Sequence, residues 1–461
     1  MTRRSLPLAL VTALAAAAAW APAASAAPVA VSSSTGLAYR PGKVVVRYAR
    51  GVDRERRAAI QRAAGVRGPD VFAPRARELT VAAGAGVEAT AAALRRVPGV
   101  ESAEPSWVAR ASGYIPADPG RLDAPGGWQE IQWNFLPGVG VDAPGAWQNL
   151  IDVRKPGGRG TVVAVLDTGV AYADRGRFRR SPDLLGPRFV KGYDFVDDDP
   201  YPEDHNGHGT HVASTIAEST GNNVGVTGLA YGARVMPVRV LDSTGTGDVP
   251  DIAEGIRYAV RRGADVINLS FEFGNTMRAR QIPEVLDALR YARKRGVLVV
   301  GASGNSSARS VSYPARSSNV LSVGATTEHL CRADYANVGS GLDISAPGGG
   351  PDATVPGDPN CRPEETPGRN IFQVTFAGGS VRTFGLPGGF EGTSMAAPHV
   401  AGTAALVIAS GVIGRHPSPA AIQQRLQATA VDLGPPGYDT RYGAGLLNAA
   451  AATARVAPVR H

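Results

Sequence analysis

Three short stretches put reactive side chains where an apolar element begins or ends. The run "TVVAVLDTGV" (161–170) closes a Val/Leu strand on Asp167. "NGHGTHVAS" (206–214) sets His208 and His211 where a helix should start. "EGTSMAAPHVAG" (391–402) sets Ser394 at the head of an apolar helix running to about Ala409. Each alone has a plain reading: a strand-ending Asp starts a turn, Thr210 or Ser394 caps a helix, and a lone histidine packs in a core. Asp-Thr-Gly also suits an aspartic protease, in which two such carboxylates share a proton. The sequence holds no second Asp-Thr-Gly or Asp-Ser-Gly, so that dyad would need two associated copies. Taken jointly, the stretches supply an acid, an imidazole and a hydroxyl in the order Asp, His, Ser. A serine hydroxyl is a poor nucleophile near neutral pH unless an imidazole takes its proton. An acid can hold that imidazole in the productive tautomer.

Something must bring these residues together. The strand-like runs are "TVVAVLD", "ARVMPVRVLD", "ADVINLSF", "GVLVVGAS" and "NVLSVGATT". Helical patterns lie between them, in "HGTHVASTIAES", "DIAEGIRYAVRRG" and "PEVLDALRYARKRG". Near-continuous Val/Ile/Leu strands with helical crossovers predict an α/β fold, a doubly wound and mostly parallel sheet covered on both faces. Such sheets place their sites at the carboxyl ends of the strands, where Asp167 falls. An aspartic protease, almost entirely β, does not fit this alternation.

The motifs "VVAVLDTGV", "HGTHVAS" and "GTSMAAPHVAG", in this order and spacing, resemble the signature segments of the subtilases, the subtilisin-like serine proteases. The likeness covers about residues 130–450. It implies a serine endopeptidase with Asp167 as orienting acid, His208 as general base and Ser394 as nucleophile, and a structural His211. Asn305, in "VVGASGNSS", corresponds to the family's oxyanion donor, with the Ser394 N–H as the second donor. Pro398 lacks an N–H and frees the Ser394 carbonyl from its helical partner, a feature the family shares. The resemblance also places the walls of the primary substrate pocket at Ser270-Phe271-Glu272 and Ala302-Ser303-Gly304. Most of the family has Gly where Glu272 stands, leaving an open apolar pocket. An acid there favours Lys or Arg before the scissile bond, whereas the bulk of Phe271 and Phe273 favours apolar residues. The default expectation is apolar.

The N-terminus reads as a secretory signal over residues 1–26. Arg3 and Arg4 precede an apolar stretch from Leu6 to Trp20, and Ala24-Ser25-Ala26 offers small residues for cleavage. The expected product is secreted, extracellular or periplasmic, with no membrane span. Residues 27–112 form a small α+β unit. "KVVVRYA", "ARELTVAAG" and "VESAEPSWVAR" are its strands, "DRERRAAIQRAAG" and "VEATAAALRRVPG" its helices, with Asp53 as a cap. Position makes it resemble a subtilase propeptide, an intramolecular inhibitor and folding chaperone. A Gly/Pro/Asp-rich linker over 113–130 would carry the maturation site, leaving 131–461 as the peptidase domain.

The 461 residues carry a net charge of +8. Residues 1–112 hold 16 Lys and Arg against 7 Asp and Glu, so the rest has 32 basic and 33 acidic residues. The basicity belongs to the N-terminal part, which rejects a nucleic-acid partner. The expected partners are protein or peptide substrates and the chain's own propeptide, and the enzyme is expected to be a monomer. Cys331 and Cys361, a lone pair in an exported chain, predict a disulfide rather than a metal site.

"DFVDDDPYPEDHNGHGTH" packs Asp194, Asp197, Asp198, Asp199, Glu203 and Asp204 ahead of His208. Hard oxygen donors at short spacing predict Ca²⁺. Asp194, Asp197 and Asp199 are similar in spacing to a calcium loop of some thermostable subtilases. A second subtilase-like site would use Asp183 with Asn222. No organic cofactor is expected. Two rival readings remain: a subtilase scaffold that has lost catalysis and only binds, and an α/β-hydrolase esterase. Retention of Asp167, His208, Asn305 and Ser394 opposes the first. Met395 and Ala396 after a serine that comes last in the chain oppose the second, whose elbow is Gly-x-Ser-x-Gly with His last.

Overall fold

The structure is a computed structural model. It describes residues 30–32, 38–68, 71–73, 75–82, 84–107, 114–184, 188–364 and 367–455. The expected signal segment 1–26 and part of the expected maturation region lie outside these residues.

The N-terminal unit has the expected α+β content. Strand β1 (Ala38–Tyr48) pairs antiparallel with both β2 (Ala76–Val81) and β3 (Val100–Trp107). Helices α1 (Arg54–Ala63) and α2 (Val87–Arg95) belong to it, and the short strands Ala30–Val31, Val66–Arg67 and Val71–Ala73 bring its sheet to six strands. Asp53 caps α1 as its composition predicts, accepting the Arg56 N–H at 2.8 Å. Alternate residues Val44, Val46 and Tyr48 of β1 are buried with Leu79, Ile60, Ala91 and Leu94, the period-2 signature of a sheet with one face on a core.

The larger part is built on seven parallel strands. They are β4 (Val162–Asp167), β5 (Tyr193–Asp194), β6 (Arg234–Arg239), β7 (Val266–Leu269), β8 (Leu298–Ala302), β9 (Leu321–Thr326) and β10 (Ile344–Pro347). Their spatial order is β10-β9-β8-β7-β4-β6-β5. The chain runs outward from β4 on one side to β5 and β6, then returns to β7 on β4's other side. Strand β4 therefore stands at the switch point, where the loops at the carboxyl ends part and leave a crevice.

Both faces are covered. Val163 and Val165 of β4 enter one apolar cluster with α3 (Ala143–Asp152), α4 (His208–Ala217) and part of α7 (Thr393–Ser410). Val162, Ala164 and Leu166 enter the other, with α5 (Val249–Arg261) and α6 (Pro283–Lys294). Every residue of β4 is buried, which explains why its sequence is continuously apolar rather than alternating. Helix α7 is apolar or small nearly all round and packs against α4 and strands β7 to β10, as a central helix must. Strands β5 and β10 were not among the sequence-derived runs, and neither was an antiparallel hairpin, Thr375–Ala377 with Ser380–Gly385. Strand β5 is only two residues long, and the hairpin pairs locally without an apolar run.

Candidate active site

Asp167 is the last residue of β4 and is completely buried. Its Oδ1 accepts from the Thr168 N–H at 2.8 Å and from His208 Nδ1–H at 2.7 Å. His208 opens α4, so the crossover from β4 delivers imidazole to carboxylate. Burial pushes the His208 imidazole toward neutrality, but the charge and hydrogen bond of Asp167, with Asp204 behind, outweigh it and hold it above its ordinary value. With Nδ1 engaged by the acid, Nε2 is left as the basic nitrogen. The side chain keeps 26% of its surface exposed.

Ser394 occupies the first turn of α7, half-buried, after Gly392 and Thr393. Pro398 leaves the Ser394 carbonyl without its helical N–H. That carbonyl accepts instead from Ser270 Oγ at 2.7 Å, and Asn268 Nδ2 donates to the same Oγ at 2.8 Å. The end of β7 is thereby tied to the serine turn. Asn305 follows β8, and its Oδ1 accepts from Thr393 N and Thr393 Oγ1, each at 2.8 Å. With the oxygen held, the amide Nδ2 is the end left to donate. A Cβ on Gly392 would lie 3.4 Å from Asn305 Nδ2 and 3.6 Å from Ser394 N, so the two donors flank one small space.

The subtilase family model matches residues 158–445, and a fervidolysin N-terminal prodomain model matches residues 25–106. The chain belongs to the subtilase family. Subtilisin Savinase of Lederbergia lenta is 41% identical over 298 residues, 64% of this chain and 91% of that protein. A thermophilic serine proteinase of Bacillus sp. (strain AK1) is 33% identical over 407 residues, 88% of this chain and 86% of that protein. A protease structure from Pseudoalteromonas arctica PAMC 21717 superposes with a TM-score of 0.59 at 30% identity, covering 74% of this chain and 99% of the other. This subtilase is accordingly a serine endopeptidase with an N-terminal prodomain.

Several supports of the subtilase site carry no motif of their own. Asp204 is wholly buried, which raises its carboxyl against the pull of the N–H groups of Gly207, Asn206 and Thr210. It accepts from Thr168 Oγ1 and from Thr210 N and Oγ1, at 2.6 to 2.9 Å. Thr168 Oγ1 in turn accepts the Gly209 N–H at 3.0 Å. Asp204 thus clamps the turn after Asp167 to the first turn of α4. His211 packs flat on Phe390 at 4.1 Å and donates from Nε2 to the Ile371 carbonyl; burial lowers it to about 3. It is a neutral packing residue, as expected. His399 is also buried and neutral, lowered to about 4 by burial.

Among the expected pocket residues, Phe271 and Phe273 pack against the cluster under α5 and α6. Glu272 between them reaches across to the Asn305 N–H, which its Oε1 accepts at 2.7 Å. Ala302 ends β8, Ser303 is buried with its Oγ donating to the Asn337 carbonyl at 3.1 Å, and Gly304 donates its N–H to Thr393 Oγ1 at 3.1 Å. Cys331 and Cys361 form the expected disulfide.

The acidic loop before His208 departs from expectation. Arg239, 3% exposed in its side chain, places Nη1 2.7 Å from Asp194 Oδ2 and 2.6 Å from Asp197 Oδ2. Asp194 Oδ1 is taken by the N–H groups of Val196 and Asp197, and Asp199 Oδ1 by that of Tyr201. Glu203 lies 3.8 Å from Arg175. A guanidinium already supplies the countercharge, so the calcium site expected at Asp194, Asp197, Asp199 and Glu203 does not fit this donor set. The loop motif is visible in sequence, but the cation that fills it comes from β6, 45 and 42 positions on from Asp194 and Asp197, with no signal of its own.

The second expected site differs. Asp183 Oδ1 accepts from Asn222 Nδ2 at 2.7 Å and Oδ2 from the Val226 N–H at 3.2 Å. Asp118 accepts the N–H groups of Gly221 and Asn222. Glu218 accepts the Val374 N–H through Oε1, while its buried Oε2 has no partner. Burial raises Asp183 to about 8, with Asp118 adding repulsion, and raises Glu218 with help from Asp183. Three buried carboxyls thus lie near enough to repel one another, with the charge of Arg188 partly offsetting this at Asp183, but among the described residues no group of three or more His, Cys, Asp or Glu is placed to hold a metal ion.

Proposed function

We propose that this subtilase is a secreted endopeptidase that cleaves peptide bonds through Asp167, His208 and Ser394. The observation that carries the reading is the Asp167–His208 bond at 2.7 Å, taken together with a half-buried Ser394 in the first turn of α7. Neutral His208 takes the Ser394 hydroxyl proton at Nε2 as Oγ attacks the substrate carbonyl, and Asp167 stabilises the imidazolium that results. Negative charge grows on the former carbonyl oxygen. Asn305 Nδ2 and the Ser394 N–H are aimed where that charge develops, fixed in advance by Thr393. His208 then returns the proton to the leaving amine. Water repeats the cycle on the acyl-enzyme.

Residues 1–26 act as an export signal, 27–112 as an inhibitory propeptide, and 131–461 as the peptidase, with self-cleavage in the linker 113–130. The prodomain match over 25–106 supports this division. Among the described residues no helix is long and apolar enough to cross a membrane. Calcium, if bound at Asp183 and Asn222, would meet the buried carboxyls Asp118 and Glu218, although among the described residues no group of three or more His, Cys, Asp or Glu is placed to hold a metal ion. Bound there it would tie the 218–228 loop to Asp183, a structural role away from the triad.

Fluorophosphonate labelling with casein hydrolysis tests the reading. Wild type should react at one serine and digest casein, and Ser394→Ala should do neither while retaining its N-terminal unit by mass spectrometry. Efficient maturation of Ser394→Ala without added protease would refute self-cleavage.

A further inference from the structure

Three loops of the peptidase domain meet around a cleft that Asp167, His208 and Ser394 do not line. Segments 307–309, 338–340 and 440–441 are laced together by backbone bonds. The Val338 N–H donates to the Ala308 carbonyl at 2.9 Å, and the Gly339 N–H to the Thr440 carbonyl at 2.8 Å. With the loop around Thr354 they border an open cavity of about 760 Å³, a size that suits a small molecule. Three arginines line it, Arg309, Arg332 and Arg441, together with Ser340, Thr354 and Thr440.

The protein does not neutralise these charges from within. Neither Arg309 nor Arg441 has an acid at ion-pair distance among the described residues, and neither guanidinium donates a hydrogen bond there. Arg332 is half-buried, and its Nη1 donates to the carbonyls of Ala333, Asp334 and Ala336 at 2.9 to 3.2 Å, which fixes the group in place. The acids of the neighbouring turns are engaged elsewhere. Asp439 Oδ1 accepts the N–H groups of Arg441 and Tyr442 at 2.6 and 3.0 Å, and Asp358 Oδ2 accepts the Tyr442 hydroxyl at 2.7 Å. Burial lowers Arg332, Tyr442 and Asp334 pull it back up, and the charge of Arg441 lowers it again, so two of the guanidinium groups feel one another. Like charges held around one cavity repel, and an anion entering it relieves them together. The hydroxyls of Ser340, Thr354 and Thr440 bond to none of the described residues and are further donors.

We propose that this cleft binds a small, multiply charged oxyanion, phosphate or a tricarboxylate. Arg332, held by its three carbonyls, supplies a fixed charge. Arg309 and Arg441, exposed and unbonded, bring planar forks that match phosphate or carboxylate oxygens two at a time. The anion bridges segment 307–309, which starts two residues after Asn305, to the turn at 440–441. Because it binds the folded chain, it stabilises that chain by mass action.

Isothermal titration and thermal melts of the full chain carrying Ser394→Ala, which prevents self-digestion, test the site. The probes are inorganic phosphate and, separately, tricarballylate, each against sodium chloride at equal ionic strength. At least one probe should bind saturably at one site and raise the melting temperature more than the chloride control. Phosphate alone marks a phosphoryl ligand, and tricarballylate alone a carboxylate one. Arg309→Ala with Arg441→Ala should weaken binding by about 10- to 100-fold or more, the range for losing hydrogen bonds to charged groups. Arg280→Ala with Lys294→Ala removes the same charge from exposed positions outside the cleft and should leave binding unaltered. Arg309→Gln with Arg441→Gln repeats the test should the alanine pair not fold. No saturable binding of either probe overturns the proposal. So does a melting shift that sodium chloride matches, binding unaltered by loss of Arg309 and Arg441, or an equal loss in both double variants.

Discussion

Thr393 precedes Ser394, the proposed nucleophile, and takes no part in the proposed proton transfer, yet its hydroxyl holds two parts of the site. It donates to Asn305 Oδ1 at 2.8 Å and accepts the Gly304 N–H at 3.1 Å, and the residue is fully buried. Thr393→Val keeps the shape and removes both bonds. The Gly304 N–H is then a buried donor without an acceptor, which costs about 1–3 kcal/mol of stability. Asn305 keeps one of its two anchors, the Thr393 N–H. Losing one net hydrogen bond of about 0.5–1.5 kcal/mol lets the amide leave its aim, so kcat should fall about 2- to 10-fold. The ceiling is set by Asn305→Ala, which should cost about 10²–10³ in kcat. Steady-state kinetics on one peptide should show the loss in kcat with KM little changed. The decisive variant is the double mutant: if Thr393 acts through Asn305, adding Thr393→Val to Asn305→Ala should cost nothing further in kcat. An undiminished extra loss on that background refutes the argument.

Arg239→Met leaves buried Asp194 without its partner and should destabilise the protein by about 3–5 kcal/mol, read by denaturant melts; Asp194→Asn added to it should recover part of that loss. Equal melts for wild type and Arg239→Met would mean that the buried pair is not formed. Asp183, raised to about 8 from 3.8, binds a proton in the folded state that the unfolded chain releases. Without calcium, stability should therefore fall as pH rises from about 4 to about 8. Calcium should restore more of it at pH 8 than at pH 5, and Asp183→Asn should flatten both responses, measured by thermal melts in a Ser394→Ala background to prevent self-digestion. A calcium response unchanged in Asp183→Asn would remove the ion from this site. Since His208 must be neutral to act as base and is raised above 6.5, the acid limb of kcat/KM should have its midpoint above that value; a midpoint below it would show Asp167 too weakly coupled.

The fold was legible because burial on both faces leaves an unmistakable trace. All six residues of β4 are buried, and all but the last are apolar. The side chains proposed for catalysis stand out in the sequence for the opposite reason, being polar residues at the ends of apolar elements. What escaped the sequence were partners joined only by folding. Arg239 meets Asp194 and Asp197 across 45 and 42 positions of chain, and its local sequence, "PVRVLD", reads as any strand end. Thr393 looks like a helix cap, and only the approach of Asn305 from 88 positions away makes it a clamp. The direction of Glu272 was also hidden. A run Phe-Glu-Phe shows an acid between two apolar residues, but which side faces the core depends on where β7 leaves the sheet.

Pro398 shows how a local defect becomes a connection. A proline one turn into α7 denies the Ser394 carbonyl its helical partner, and a free carbonyl beside the nucleophile would need another donor. Ser270 supplies it at 2.7 Å, itself held by Asn268, which lies in β7 within the sheet. The nucleophile turn is thus anchored to a rigid strand rather than only to its own helix. Asp167 at the end of β4 is anchored in the same sheet one strand away, in register from Val266↔Val163 to Leu269↔Leu166. Asp167 and Ser394 come from different segments of the chain, but both are referred to the same pair of strands.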